Sequence, residues 1–217
     1  TAVGYSAMRF STAAKRNTAV GYAALYQHSE TTDTYNVAVG MYAGYNLYTG
    51  SHNVAIGYTA LRANSSTDNR YMVALGYGAL YSVAGTDYNV GVGYLAGEKT
   101  TTGDKNIYIG ALAGRTGSTA SQNILIGHEA GRLNDTTSNV VAIGYQAAYY
   151  TTGGNIVAMG TQALHDNTTG TEGLAIGYQA SRNNTVAHQN VALGHQTLFD
   201  NESGSKNIAI GYRAMYE

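Results

Sequence analysis

The sequence predicts an all-β fold: a parallel β-solenoid of about 13 rungs, each with 16–19 residues. Three observations lead to this prediction. A short motif recurs along the whole chain, the interval between its copies does not suit a helix, and each copy joins a short apolar run to glycine and polar turn-forming residues. The 217 residues include 28 glycines and 20 tyrosines, but no proline, tryptophan or cysteine.

The repeat centres on a glycine that we call the anchor. Segment 53–61, Asn-Val-Ala-Ile-Gly-Tyr-Thr-Ala-Leu, recurs in related form at 89–97 and 207–215. Most anchors are 17 residues apart, an interval that would rotate a helical apolar stripe by most of a turn between copies. We number positions from the anchor, so that position −1 precedes it and position +1 follows it. The anchors are Gly4, Gly21, Gly40, Gly57, Gly76, Gly93, Gly110, Gly127, Gly144, Gly160, Gly177, Gly194 and Gly211.

The array fills residues 1–217 without a linker. We therefore expect a single repeat array with no internal domain boundary, which forms a fragment of a longer fibre. Two of the intervals contain 19 residues, and a solenoid can absorb such insertions in its turns. We expect the extra residues in loops 26–36 and 62–72.

Each rung is predicted to contain a short strand just before its anchor. Positions −3 and −1 are almost always branched and apolar, as in Ile124 and Ile126, and alanine usually lies between them. This alternation is typical of a strand with two different faces. We expect the branched side chains to be buried in every rung and the alanines to face outward.

The residues around the strand predict a bend and two stacked columns. Glycine at the anchor indicates a positive φ or a close backbone approach. Tyrosine is frequent at position +1, where neighbouring rings are expected to stack; a sugar-binding stripe is the alternative. The residues that we single out as structural repeat positions are Gly21, Gly57, Gly93, Gly110, Gly127, Gly177, Gly211, Asn53, Asn106, Asn123, Tyr58, Tyr94 and Tyr178.

Asparagine precedes the strand in ten rungs. Stacked amides can hydrogen-bond from rung to rung, and we expect such a ladder here; a simple turn-forming role is the alternative. The residues are Asn17, Asn36, Asn53, Asn89, Asn106, Asn123, Asn139, Asn155, Asn190 and Asn207.

The predicted core is small, because a rung offers about two branched residues and a few alanines. Alanines on an outward face would allow another chain to approach closely. We therefore predict that the chain associates with itself as a parallel homotrimer, with an end-to-end filament as the alternative.

The units resemble the repeats in head domains of trimeric autotransporter adhesins and in related phage tail-fibre proteins. They follow the pattern Asn-Val/Thr-Ala-Val/Ile-Gly-Tyr-x-Ala-Leu, and a Thr-Thr-Gly or Ser-Gly turn comes after it. Segment 17–25, Asn-Thr-Ala-Val-Gly-Tyr-Ala-Ala-Leu, is especially close to the tail-fibre version. The resemblance implies a left-handed parallel β-roll that is trimeric and lies outside the cell or on a virion.

The sequence predicts no enzyme, no cofactor and no metal site. The histidines lack the spacing of a zinc site, and His128 and His195 replace tyrosine at position +1. Asp166 with Glu172 and Asp200 with Glu202 are candidate carboxylate pairs for glycoside hydrolysis, but nothing in the sequence brings either pair face to face. A net charge of −1 gives no footprint for nucleic acid, and no apolar run is long enough to insert into a membrane.

The leading functional prediction is a structural fibre segment on a virion or cell surface that presents an adhesive tip. One alternative is an adhesin whose lateral surface binds a host cell-surface glycan or protein. A weaker alternative is an ice-binding solenoid, suggested by the threonine pairs 101–102, 151–152 and 168–169. Glycosylation sequons at Asn64, Asn134, Asn167, Asn183 and Asn201 are expected to be exposed along one edge.

Overall fold

The chain forms a parallel β-solenoid of about 12 turns, as the sequence predicted. The computed structural model describes residues 1–11, 15–28, 34–63 and 69–217, and we call these the described residues. Within them every element is a strand, and no helix is long and apolar enough to cross a membrane.

Thirteen of the strands in the described residues form one parallel sheet, and each pairs with the strand of the next rung. Two further strands, β10 and β12, pair with each other on the opposite side of the coil. The strands are β1 (Ala2–Val3), β2 (Thr18–Val20), β3 (Val37–Val39), β4 (Val54–Ile56), β5 (Val73–Leu75), β6 (Val90–Val92), β7 (Ile107–Ile109), β8 (Ile124–Ile126), β9 (Val140–Ile143), β10 (Tyr150–Thr151), β11 (Ile156–Met159), β12 (Asp166–Asn167), β13 (Leu174–Ile176), β14 (Val191–Leu193) and β15 (Ile208–Ile210).

Equivalent residues pair throughout the main sheet. Val54 pairs with Val73 across a 19-residue interval, and Val141 pairs with Val157 across a 16-residue interval. Changes in rung length are therefore absorbed outside the strands. The loops predicted to hold the extra residues are only partly described, because 29–33 and 64–68 lie outside the described residues.

The strands bury the face opposite to the one that the sequence predicted. The central alanines Ala38, Ala55 and Ala74 are at most 1% exposed, so the expectation of outward-facing alanines was wrong. The flanking branched residues face outward instead: Ile56 is 42% exposed, and Ile126 is only partly buried. The physical reason is width, since a rung this short encloses a narrow interior that has room for alanine opposite the following turn.

The interior is filled by alanines at positions −2 and +3 and by a larger residue at position +4. Leu61 and Leu80 take this last position and are fully buried. Gly97 and Gly114 take position +4 in two successive rungs, and a larger strand residue fills the space there: Tyr108 packs between them. A Cβ atom added at Gly114 would lie 2.2 Å from the Tyr108 ring. Residue sizes therefore compensate between neighbouring rungs, and burial raises the pKa of the Tyr108 hydroxyl.

The backbone turns sharply at and after each anchor. Gly127 has a φ of +135°, and a Cβ atom there would lie 2.3 Å from the carbonyl oxygen of Gly144. Both reasons predicted for glycine at the anchor therefore apply. Positions −5, +2 and +4 are also left-handed, as in His52, Thr59 and Leu61 with φ values of 60°, 53° and 48°. These positive φ values could not be predicted from residue type, because L-residues such as leucine rarely adopt them.

Candidate functional site: the outward sheet face

The main sheet presents a continuous apolar surface that we call the Val/Ile face. It consists of positions −3 and −1 from β2 to β15, and every member except Thr18 is apolar. At the 4.8 Å spacing of β-strands the whole sheet is about 58 Å long. The members are Thr18, Val20, Val37, Val39, Val54, Ile56, Val73, Leu75, Val90, Val92, Ile107, Ile109, Ile124, Ile126, Val141, Ile143, Val157, Met159, Leu174, Ile176, Val191, Leu193, Ile208 and Ile210.

The register of the parallel strands aligns the members of the Val/Ile face in two columns. Each pairs with its equivalent in the next rung, as Ile109 does with Ile126. Partial exposure is general: Ile109 is 38% and Ile176 is 40% exposed, although neighbouring side chains in the column cover part of each. The face carries no charged residue. It can therefore bind an apolar surface, but it offers no side chain for acid–base chemistry.

Aromatic columns flank this face. At position +1 the rings of Tyr58 and Tyr77 stack at 5.1 Å, and those of Tyr77 and Tyr94 stack at 5.4 Å. Tyr178 stacks on His195 at 4.9 Å, so histidine continues the column as the sequence predicted. A second column at position −5, which the sequence analysis missed, contains Tyr35, His52, Tyr71 and Tyr88 with centroid distances of 4.9–5.1 Å.

Asparagine at position −4 links each rung to the next, but not through an amide ladder. Asn106 Oδ1 accepts a hydrogen bond from the backbone N–H of Asn123 at 3.0 Å, and its Nδ2 donates to the carbonyl of Ala120 at 2.8 Å. Asn53 likewise donates to the carbonyl of Asn69 at 2.7 Å. These buried side chains therefore hold the backbone of the following rung, and the expected stacking of amide on amide was wrong at this position.

Two of the ten asparagines do not belong to this column. Asn139 and Asn155 lie at position −5, where they are exposed and have φ values of 61° and 57°. Val140 and Ile156 take position −4 in those rungs and are at most 1% exposed. A backbone hydrogen bond from Ile156 N to the Asn139 carbonyl, at 3.3 Å, joins the two rungs there. Asn139 Nδ2 also donates to Asn155 Oδ1 at 3.1 Å, so this one pair makes the amide-to-amide bond that was predicted. The strands β9 and β11 are accordingly four residues long rather than three.

A longer ladder of side-chain amides, which was not predicted, runs along position +2. Each Gln Nε2 donates to the side-chain oxygen in the preceding rung, at 2.7–3.0 Å. Arg213 donates into one end, and the Glu129 carboxylate accepts at the other. We call this series the Gln ladder; its members are Glu129, Gln146, Gln162, Gln179, Gln196 and Arg213. The signal was visible in the sequence as four glutamines in consecutive rungs at one position.

The carboxylates considered for hydrolysis have separate partners. Asp166 lies 2.9 Å from His165 Nδ1, whereas Glu172 accepts from Gln189 at 2.7 Å. Asp200 accepts a hydrogen bond from Asn183 Nδ2. Asp166, Glu172 and Asp200 therefore each bond to a residue other than the second member of the proposed pair.

The threonine pairs also have partners of their own. Thr101 Oγ1 donates to the carbonyl of Ser118 at 2.8 Å, and Thr168 Oγ1 donates to that of Thr185 at 2.6 Å. Thr151 is buried. These hydroxyls stabilise the turns of neighbouring rungs and do not form an open array.

The sequons are not all exposed. Asn134 and Asn167 are at most 1% exposed because position +7 points into the coil, so the expectation was wrong for these two. Asn183 and Asn201 are partly exposed, and Asn64 lies outside the described residues. Asn201 Nδ2 donates to the carbonyl of Gly204 at 2.7 Å.

No family model, curated protein or solved structure matches this chain. Among the described residues, no group of three or more His, Asp or Glu side chains could hold a metal ion. The chain is thus a parallel β-solenoid with an apolar, partly exposed Val/Ile face.

Proposed function

We propose that this chain is a structural segment of an extracellular fibre, on a virion or a cell surface, in which three parallel chains pack through the Val/Ile face. The observation that carries the proposal is the continuity of that face over consecutive strands from β2 to β15. The segment serves as a spacer that presents an adhesive tip. It has no catalytic, cofactor or metal site, and it binds no nucleic acid.

The size of the Val/Ile face supports association. It is an uninterrupted apolar stripe over twelve rungs, with every member at least partly exposed, and contiguous apolar patches on a chain mark interaction surfaces. A standard stable interface buries about 800 Å² per partner. Covering the face would therefore provide a substantial hydrophobic contribution.

The regularity of the Val/Ile face supports a second copy of this chain as the occupant. A partner must present apolar groups at the rung spacing over the whole rod, and another copy in register meets this requirement at every rung. Cyclic symmetry around an axis parallel to the rod keeps equivalent rungs level. The face is only two side chains wide, which suits three narrow faces meeting at one axis. This revises the earlier expectation, since branched residues rather than alanines would form the trimer core.

The resemblance of the repeat motif to adhesin heads and phage tail fibres supports the same assignment. The alternative of an adhesive lateral surface is favoured by a different observation, the tyrosine column at position +1, whose members are 42–72% exposed. Ice binding has less support, because the threonine hydroxyls that suggested it are donated to neighbouring turns.

The trimer is tested by measuring the mass of the chain in solution. The wild-type chain should have three times its monomer mass of 22.8 kDa. Replacing both Ile109 and Ile126 with Asp would place charges at the three-chain axis, where they would be desolvated without a partner. The variant should be a monomer with an unchanged β-sheet spectrum in circular dichroism, because both side chains face outward in the single chain.

Gln122→Asp is the matched control, because it adds a charge at an exposed position in the same rung as Ile126. This variant should remain a trimer. A wild-type chain that stays folded as a monomer on dilution would contradict the proposal, and so would a trimer that survives the double substitution. A mass that rises without limit with concentration would indicate an end-to-end filament instead.

A further inference from the structure

Two open grooves lie on the side of the rod that is formed by the residues just after the anchor glycines. Equivalent repeat positions line both grooves. The central groove has a volume of about 410 Å³; Tyr58, Tyr77 and Tyr94 line one wall, Arg62, Tyr81 and Glu98 the other, and Thr59, Gly78 and Leu95 the floor. The N-terminal groove has a volume of about 160 Å³, with Tyr5 and Tyr22 on one wall, Arg9, Tyr26 and Tyr45 on the other, and Ser6, Ala23 and Tyr42 on the floor. Each groove thus spans three rungs, and the two grooves use the same repeat positions.

The size of the floor residue distinguishes these units from the rest of the rod. The same kinds of wall recur where Arg132 precedes Tyr149 and where Arg182 precedes Phe199. There, however, position +2 belongs to the Gln ladder, whose long side chains occupy the floor. Two successive small residues at position +2 therefore leave each groove open, and Leu95 or Tyr42 takes this position in its third rung.

The ion pairing of the arginine also differs between the open grooves and the rungs of the Gln ladder. Arg132 pairs with Glu129 at 2.7 Å, and Arg182 lies 3.9 Å from Asp166. Arg9 and Arg62 have no carboxylate partner among the described residues. Arg62 lies between the rings of Tyr45 and Tyr81, at 5.6 and 5.5 Å from their centroids. Its Nη1 donates a hydrogen bond to the Tyr81 hydroxyl, and its buried Nε, like that of Arg132 and Arg182, has no partner within the described part of the chain. Glu98, on the same wall of the central groove, pairs instead with Arg115 at 2.6 Å. Within the described residues, the guanidinium of each open groove therefore has no carboxylate bonded to it.

The backbone of the central groove is already bonded. The N–H of Gly78 donates to the carbonyl of Tyr58 at 3.0 Å, and the N–H of Leu95 donates to that of Tyr77 at 2.9 Å. An extended peptide could not add to these groups as a strand. A ligand must instead be bound by phenol hydroxyls, aromatic ring edges and one guanidinium.

We propose that both grooves bind acidic oligosaccharides, with the arginine holding a sugar carboxylate and the tyrosines contacting the pyranose rings. A guanidinium suits a carboxylate because it can donate two parallel hydrogen bonds. A pyranose combines hydroxyls with an apolar ring surface, which matches phenol groups. The central groove is large enough for a short saccharide. This role goes beyond fibre assembly, and no member of the Val/Ile face is needed for it.

Calorimetric titration with trigalacturonic acid and with sialyllactose tests the proposal. At least one of the two acids should bind saturably, and the tighter one identifies the uronate or sialate class. Its methyl ester, which keeps the rings but lacks the charge, should bind at least about tenfold more weakly. The double variant Arg9→Gln with Arg62→Gln should lose binding to a similar degree.

Two further variants separate the groove from general stability. Gly78→Gln should fill the central floor and abolish binding there, because glutamine already occupies this left-handed position in four other rungs. Arg132→Gln, at the equivalent wall position above a filled floor, should leave binding unchanged. Far-ultraviolet circular dichroism checks that each variant is folded. No saturable binding of either acid up to about 10 mM, equal binding of acid and ester, or full binding by the double arginine variant would each overturn the proposal. None of these outcomes bears on the trimer, which is measured by mass.

Discussion

At the scale of single residues, the stability of the rod depends on matching side-chain volumes between rungs. Tyr108 occupies a place that alanine takes in most other rungs, and glycines at position +4 on both sides make room for it. Gly91 does the same beside Leu80, whose Cγ would lie 2.8 Å from an added Cβ. The core is therefore assembled from compensating pairs, so a substitution must be judged together with the adjacent rung.

This volume matching predicts a coupled effect at Gly114 and Tyr108. Gly114→Ala should lower the free energy of unfolding by about 2–3 kcal/mol, because the new methyl group overlaps the tyrosine ring. In a Tyr108→Ala background the same change should cost much less, since Ala148 occupies position +4 beside small neighbours with a φ of 46°. Urea unfolding of the four chains of this double-mutant cycle measures the coupling. Additive costs would show that the two residues do not share one space.

At the scale of the strand, the rungs are joined in two interchangeable ways. Most strands contain three residues and rely on the preceding asparagine to bind the next rung. β9 and β11 contain a fourth, apolar residue at that position, and a backbone hydrogen bond connects them instead. An apolar residue at position −4 therefore accompanies the longer strands β9 and β11, whereas Met72 at the same position leaves β5 with three residues.

An asparagine-to-leucine change tests this dependence. Asn106→Leu should cost about 2–4 kcal/mol, because it leaves the buried N–H of Asn123 and the carbonyl of Ala120 without partners. The control is Asn139→Lys, which changes an asparagine at position −5, where Lys105 and Lys206 already have the same left-handed backbone. The control should be nearly neutral in thermal unfolding. Equal losses for both substitutions would contradict the bonding role of the Asn106 side chain.

At the scale of the whole molecule, each rung contacts only its neighbours, so rungs behave as exchangeable units. Removing Tyr178–Gly194 would delete one complete period and bring Gln162 beside Gln196 and Leu164 beside Leu198. We expect this shortened chain to fold, with a modest loss of stability from one fewer interface.

The control deletion is out of phase. Removing only Tyr178–Asn190 would take out 13 residues and shift every later position relative to the sheet. Glycine anchors would then face side chains that cannot fit, and the chain beyond the junction should not form a sheet. Circular dichroism and protease resistance distinguish the two products. A folded out-of-phase chain would show that the register is not specified by these columns.

Much of this architecture follows from the sequence, because a period visible in every copy constrains all rungs together. The strands before the anchors, the bend at Gly127 and the stacking of Tyr58 all follow from residue type and spacing. The inward face of the strand does not. Alanine and valine are both apolar, so a period of two gives two faces without saying which is inside. The width of the coil decides, and this width is a property of the closed rung.

The surface sites, too, could be predicted only in part from the sequence. The residues of the Val/Ile face could be predicted to form columns. Their exposure could not be predicted, because it depends on which face of the strand points into the coil. The grooves depend on residues such as Gly78 and Arg62, which are unremarkable within their own rungs. The grooves can be recognised only when positions +1, +2 and +5 are aligned across three rungs. The positions at which Asn134 and Asn167 point inward likewise follow from the backbone path, which turns through left-handed residues.

The direction of the bonds between rungs has a mechanical consequence. Bonds such as that from Gly40 N to the Val20 carbonyl, at 2.8 Å, run along the rod axis. Tension between the two ends would therefore load these bonds lengthwise and open one interface at a time, rather than shear all of them together. Each released rung would add roughly 50 Å of extended chain. A pulled rod would lengthen in many small, even steps, dissipating energy while the remaining rungs stay folded.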